Sequence, residues 1–254
     1  MRCRPGGRQG RNNLWRRDHV REFRHLAGSA GPRLIRILDI VVAAALLLLL
    51  APFILVLSLA IVIESRGPAF YRCRRVGLGG REFRMLKFRK MHDGAAGLAL
   101  TARHDTRFTR LGRLLAGSKL DEIPQLFNVL KGDMSLVGPR PEDPVFVDLD
   151  SEAWTEALRV RPGITGLSQL AFAKESKILD ESDRVGHYVR TILPQKLDLD
   201  RLYVQCYSVS MDLKILWWTA AAVLFRTDVA VHRGTGNLSQ RRRPHPSPAL
   251  ERTS

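Results

Sequence analysis

The stretch Ile40–Ile63, IVVAAALLLLLAPFILVLSLAIVI, runs for 24 residues without a charge. At ~1.5 Å per residue, a helix of that length crosses a hydrocarbon core of about 30 Å. Pro52 sits near its middle, where a proline deletes one helix hydrogen bond and clashes with the carbonyl four residues back, so the helix bends or breaks there. The flanks add a second constraint. Residues 1–39 carry ten arginines, and residues 64–90 carry nine arginines and lysines. A spanning helix keeps its basic excess on the cytoplasmic side only. A segment that enters the bilayer, turns at Pro52 and returns to the same face satisfies both flanks. A proline-kinked spanning helix stays open as the alternative. A cleaved signal peptide does not fit, because the apolar run exceeds the usual ~7–15 residues, starts far from Met1 and lacks a small-x-small cleavage site. A buried core helix is equally unsuited to this length.

The charge balance follows the same division. The 254 residues carry a net charge of +16, from 41 basic and 25 acidic residues. Between Met91 and Phe225 the count is 16 basic to 18 acidic, so the surplus lies around the apolar stretch and in the tail after Phe225. A basic collar suits the anionic cytoplasmic leaflet, at roughly 1 kcal/mol per residue near the surface. Nucleic acid, the usual competitor for such a charge, finds no zinc-finger spacing, basic zipper or aromatic-basic strand here. Three cysteines, at 3, 73 and 206, are odd in number and far apart, and give neither a disulfide framework nor a metal knuckle.

The expected organisation is a disordered basic N-terminus over 1–32, a re-entrant membrane helix over 33–66, a folded domain over 67–225 and a disordered basic tail over 226–254. The fold class is α+β, mainly α: a helix-break-helix in the membrane, a β-hairpin and a small cytoplasmic helical domain with interfacial helices. Residues Phe70–Val76 and Glu82–Phe88 are β-prone and flank Gly77-Leu78-Gly79-Gly80, which predicts the hairpin. Its arginines and lysines (Arg72, Arg74, Arg84, Lys87 and Arg89) read either as a solvated charged face or as a phosphate-binding group. Helical spacing covers Glu152–Val160, Asp183–Leu193, Lys196–Tyr207 and Leu213–Phe225. The last of these is too short to span; Trp217 and Trp218 suit a headgroup region, and a buried core helix is the alternative.

Ser118–Gly132, SKLDEIPQLFNVLKG, predicts a short helix with Pro124 in its first turn, Leu126, Phe127 and Leu130 buried, and Gly132 as its terminator. Asp121 and Glu122 then lie at the positive end of a helix dipole, which favours their anions. Neighbours on a helix point ~100° apart, so the two carboxylates suit two tasks. An ionised Asp is a competent nucleophile toward phosphorus. A Glu beside it suits Mg²⁺, which takes one or two carboxylates plus substrate phosphates. The plainer reading is a pair of helix N-terminal charges. Arg140, in GPRP, is held by prolines on a stiff extended backbone, as bidentate phosphate recognition requires, or is a surface arginine of a rigid loop. Arg161, on the Pro162-Gly163 loop, is a further candidate contact to a nucleotide.

KFRKM (87–91), GSKLDEIPQLFNVLKGDMSLVGPRP (117–141), RPGITGLSQL (161–170) and MDLKIL (211–216) together resemble the bacterial sugar transferase family, over about Arg33–Phe225. These are monotopic phosphoglycosyl transferases, which move a sugar-1-phosphate from a UDP-sugar to a polyprenyl phosphate and release UMP. The resemblance implies that Asp121 is the nucleophile forming a phosphosugar-aspartyl intermediate, and that Glu122 organises Mg²⁺ and phosphate. It implies phosphate or nucleotide contacts for Lys87, Arg89 and Arg140, a re-entrant helix broken at Pro52, and a catalytic domain on the cytoplasmic face of the inner membrane. Homo-oligomerisation stays open. Three positions, and the stretch AFAKESKILDESDRVGHYVRTILPQKL after Leu170, depart from the family pattern. Ala51 stands where a serine often precedes the membrane proline, Ala116 where an arginine is common, and Asp105-Thr106-Arg107 where relatives read Asp-Pro-Arg. The competing class is a membrane-attached scaffold or lipid-binding protein without catalysis, in which the Asp-Glu pair is only a cap.

Overall fold

The computed structural model describes residues 30–95, 105–173, 183–225 and 227–240. The expected disordered segments therefore lie outside the described residues over 1–29 and 241–254. Helix α1, Ala30–Glu64, is one continuous helix with Pro52 inside it. The chain was expected to break there; instead the helix continues past the one bond a proline cannot make, that to the Leu48 carbonyl. Among the described residues α1 is the single helix long and apolar enough to cross a membrane, with a mean hydropathy of 3.1 over an 18-residue window.

One stripe of α1 is covered and the rest is bare. Ile35, Asp39, Ala43, Leu57 and Ile61 are buried, with Leu47 and Ile54 packed beside them. Their spacing of three, four or seven keeps them on one side of the helix. Leu48, Leu49, Leu55 and Val56, around the proline, are 66–80% exposed. Both ends of α1 are tied to the rest of the molecule. Near the N-terminal end the Arg36 guanidinium donates to the carbonyls of Val129 and Leu130 at 2.8 and 3.3 Å. Asp39 accepts from the Ser135 hydroxyl at 2.7 Å and the Leu136 amide at 3.0 Å. Near the other end Glu64 accepts from the Leu111 amide at 3.0 Å.

Strands β1 (Phe70–Val76) and β2 (Glu82–Phe88) pair antiparallel, Phe70 opposite Phe88, as the alternation predicts. Cys73, Val76, Met85 and Phe88 go inward. The far edge of β2 is closed by a side chain: Asn128 accepts from the Leu86 amide at 2.9 Å and donates to the Arg84 carbonyl at 2.8 Å. It takes the place of a third strand there.

Next come α2 (Arg110–Ser118), a 3₁₀ turn (Leu120–Glu122), α3 (Gln125–Lys131) and strand β3 (Ser135–Val137). The expected Ser118–Gly132 helix is thus split, with Pro124 capping α3 and the dyad on the turn before it. Phe127, expected inside, is 46% exposed; Gln125, Leu126, Asn128 and Val129 form the buried face instead. After α4 (Glu152–Ala157), strand β4 (Gly163–Thr165) pairs parallel with β3. These strands approach through glycine: a Cβ on Gly163 would stand 2.1 Å from the Gly138 nitrogen.

Helix α5 (Leu167–Ala171) leads through residues outside the description to α6 (Arg184–His187), a π turn (Tyr188–Ile192) and α7 (Leu193–Gln205). Pro194 was expected to separate two helices. The π turn ahead of it widens the ladder where the proline offers no donor, so the chain stays helical. Helix α8, Val209–Phe225, leaves Leu213, Trp217, Val223, Leu224 and Phe225 exposed. Residues 226–240, expected as part of a disordered tail, instead contain β5 (Val229–Val231) and β6 (Leu238–Gln240), an antiparallel pair. Val229 belongs to the main core with Leu126, Val129, Met134, Leu167, Leu199, Tyr203 and Ile215. Cys73 is a buried free thiol.

Candidate active site

The 3₁₀ turn lies against β2 and between the ends of α2 and α3, so the dyad is reached from several elements. The chain enters it through Lys119, which has φ 63°, the one non-glycine residue in the left-handed region among those described. That reversal swings Asp121 inward, where it is 2% exposed, and leaves Glu122 half-buried.

The Lys90 ammonium stands 3.1 Å from Asp121 Oδ2. Although so near, Oδ2 accepts no hydrogen bond from any described residue. The oxygen thus feels a cation without having its lone pairs tied up in aligned bonds. Lys90 is held there by backbone packing. A Cβ on Gly112 of α2 would lie 1.9 Å from the Lys90 carbonyl, so only glycine permits the approach, and the Thr109 amide donates to the same carbonyl at 3.2 Å.

Glu122 Oε1 takes two cations at once, Lys87 Nζ at 3.1 Å and Arg140 Nη2 at 3.0 Å. Burial works to raise the Glu122 pKa, but Lys87, Arg140 and Lys119 together hold it well below the usual carboxylate range. The Lys119 pKa is also lowered, by desolvation first and Arg140 next, so burial there works against its charged form. The result is two neighbouring carboxylates among four cations, Lys87, Lys90, Lys119 and Arg140. Such a constellation can receive and neutralise a diphosphate while keeping one carboxylate oxygen unengaged.

The expected residues divide. Asp121, Glu122, Lys87 and Arg140 come together. Arg89 turns away: its side chain, 6% exposed, donates to the Ser65 carbonyl, to the Ser65 hydroxyl at 3.0 Å and to the Arg66 carbonyl at 3.1 Å. It satisfies carbonyls at the C-terminal end of α1, which have no partner within the helix. Arg161 also lies elsewhere, donating to the Gly132 carbonyl at 3.0 Å beyond the far end of α3. Lys90 was missed. Strand alternation groups Lys87 with Arg89 and sends Lys90 to the opposite side, but β2 ends at Phe88 and the alternation ends with it. Pro52 lies in the middle of α1.

For Mg²⁺, the described residues offer no cluster of three or more metal-ligating side chains. The donor set is nonetheless that of a cation completed by substrate: Asp121 and Glu122 are adjacent, and Glu122 Oε2 accepts from no described residue. Two carboxylates plus phosphate oxygens suit a hard cation that keeps part of its coordination for substrate and water.

The model of the family described as bacterial sugar transferase matches residues 32–226. The chain belongs to that family. This sugar transferase is 42% identical over 194 residues to the UDP-glucose:undecaprenyl-phosphate glucose-1-phosphate transferase of Caulobacter vibrioides, covering 74% of the chain and 69% of that relative. It is 37% identical to the undecaprenyl-phosphate glucose phosphotransferase of Komagataeibacter xylinus, over 75% of the chain and 36% of the relative. Against the UDP-N-acetylgalactosamine-undecaprenyl-phosphate N-acetylgalactosaminephosphotransferase of Aeromonas hydrophila the identity is 36%, over 74% of the chain and 43% of the relative. The chain thus spans about two thirds of the first of these and less than half of the other two. The matched residues contain the hairpin, the dyad, Arg140 and all of α1 after its first two residues.

Proposed function

We propose that this transferase moves a sugar-1-phosphate from a UDP-sugar to an undecaprenyl-type polyprenyl phosphate and releases UMP. The observation that carries the reading is the buried Asp121 carboxylate, close to Lys90 but with Oδ2 free of aligned hydrogen bonds.

The Asp121 oxygen attacks the sugar-bearing phosphorus of the UDP-sugar. The bond from that phosphorus to the bridging oxygen breaks, and UMP leaves with the electron pair. A phosphosugar is then joined to Asp121 as a mixed anhydride. An oxygen of the polyprenyl phosphate attacks the same phosphorus, the bond to Asp121 breaks, and the carboxylate is restored as polyprenyl-diphosphate-sugar forms. Lys90 lies where charge builds on the phosphoryl oxygens, and Lys87, Arg140 and Lys119 neutralise the rest of the diphosphate. Glu122, ionised throughout because of its cations, keeps Lys87 and Arg140 in place. Glu122, with help from Asp121, would hold Mg²⁺, which would supply further charge neutralisation for the diphosphate.

The acceptor is a lipid, so the site belongs at a membrane surface. A straight helix from Arg36 to Glu64 measures about 42 Å, and residues at both of its ends hold the same polar unit. A helix crossing the bilayer once would part those ends by the full hydrocarbon thickness. A re-entrant segment kinked at Pro52, with its bare apex in the lipid, keeps both ends on the cytoplasmic face of the inner membrane. The exposed apolar side of α8 then rests on the same interface.

The test is the identity of the nucleotide released. Purified full-length protein with a panel of UDP-sugars, Mg²⁺ and polyprenyl phosphate should release UMP from at least one donor. UDP would mean direct glycosyl transfer, and no nucleotide from any donor would favour the scaffold reading; either outcome overturns the proposal.

A further inference from the structure

Behind Arg140, on the side away from the dyad, lies a buried polar network that the proposed chemistry does not use. Glu142, two residues along the same loop, has Oε1 2.7 Å from Lys196 Nζ, and the two side chains are only 12% and 4% exposed. Lys196 also donates to the Tyr188 hydroxyl at 2.8 Å, which in turn bonds Glu142. One turn further along α7, Asp200 accepts from the Ser168 hydroxyl at 2.6 Å, and its carboxyl also feels the backbone N–H dipole of Arg140 itself. Lys196 and Asp200 are four residues apart and share a face of α7. A single helix thus grips the arginine loop at Arg140 and again at Glu142.

We infer that Lys196 and Asp200 are positioning residues that set the Arg140 guanidinium on Glu122, an inference that rests on the proposed transferase reading. Two arguments favour this over a role in stability alone. Removing two charges from water costs about as much as their attraction returns, so apolar side chains would serve a core equally well. Each contact is also directed at the loop that carries Arg140, whose prolines pass a displacement at Glu142 on to Arg140 with little slack. Placement errors near 1 Å cost roughly 10²-fold in such sites.

A double-mutant cycle tests it, read as kcat/KM for UMP release by the full-length protein. Lys196→Met should lower the rate roughly 10- to 100-fold. In an Arg140→Ala background the same change should cost less than about threefold, because its effect passes through the missing guanidinium. Equal losses in both backgrounds would overturn the inference and leave a merely structural pair. If Lys196→Met does not fold, Glu142→Gln/Lys196→Met leaves no lone buried charge and completes the same cycle. Failure of the wild type to release UMP would instead strike the transferase reading.

Discussion

Lys90 Nζ lies 3.1 Å from Asp121 Oδ2, yet the pair is not aligned for a hydrogen bond. Proximity without alignment is what a nucleophile requires, since a carboxylate locked into several good bonds has its lone pairs occupied. On this account Lys90 acts on the phosphoryl group during transfer. Lys90→Gln should lower kcat/KM by about 10²-fold, the usual scale for one electrostatic donor. Its melting temperature should stay within a few degrees of wild type, because the Lys90 side chain is 26% exposed. Steady-state rates and a thermal melt on the same preparation check both parts.

Lys87 and Arg89 separate function from scaffold. They sit two residues apart in one motif, but Lys87 faces Glu122 and Arg89 faces the end of α1. Lys87→Met should cut the rate while moving stability little. Arg89→Met should leave several helix-end carbonyls unpaired and cost about 2–3 kcal/mol, as lost charged hydrogen bonds do. Denaturant or thermal unfolding of the two variants, set beside their rates, should give opposite patterns.

Asp212 gives stability a pH signature. Burial, opposed by a 2.7 Å bond from the Tyr203 hydroxyl and reinforced by Asp39, pushes its pKa up to about 7. A raised carboxyl pKa means the folded protein binds the proton that the unfolded chain has already lost. The stabilisation is therefore complete below the unfolded value and disappears as pH rises through the folded one. Asn at this position does not titrate. The melting temperature of Asp212→Asn, relative to wild type, should thus rise between about pH 5 and about pH 8. A difference that is flat with pH would contradict the assignment.

The topology can be read by labelling. Single cysteines replacing Arg33 and Arg66, in a background without native cysteines, should both react with an impermeant reagent from the cytoplasmic side. Reaction from opposite sides would rule out re-entrance while leaving the chemistry of the dyad untouched.

Legibility in the sequence followed the strength of local signals. The hairpin showed at its true boundaries because side-chain alternation and a Gly-rich loop are both encoded within a few residues. The dyad and Arg140 showed because their residue types are uncommon together and their backbones are stiffened by proline. Arg89 and Arg161 looked like phosphate contacts because a guanidinium donates equally well to a phosphate and to a helix-end carbonyl, and only the fold chooses between them. Strands β3 and β4 are three residues each and pair across Gly138 and Gly163, which leaves no periodicity to read. The network of Lys196, Asp200 and Glu142 was hidden for a related reason: Glu142 is far in sequence from the other two and meets them only when α7 packs behind the arginine loop.

The central claim is that Asp121 forms a covalent bond to the sugar-bearing phosphorus. Intact-protein mass spectrometry after incubation with the active UDP-sugar and Mg²⁺, with no lipid acceptor present, tests it most directly. The account predicts a mass increase equal to one sugar phosphate on the wild type, absent from Asp121→Asn and removed from the wild type by polyprenyl phosphate. The same mass increase on Asp121→Asn, or turnover by that variant at the wild-type rate, would contradict it.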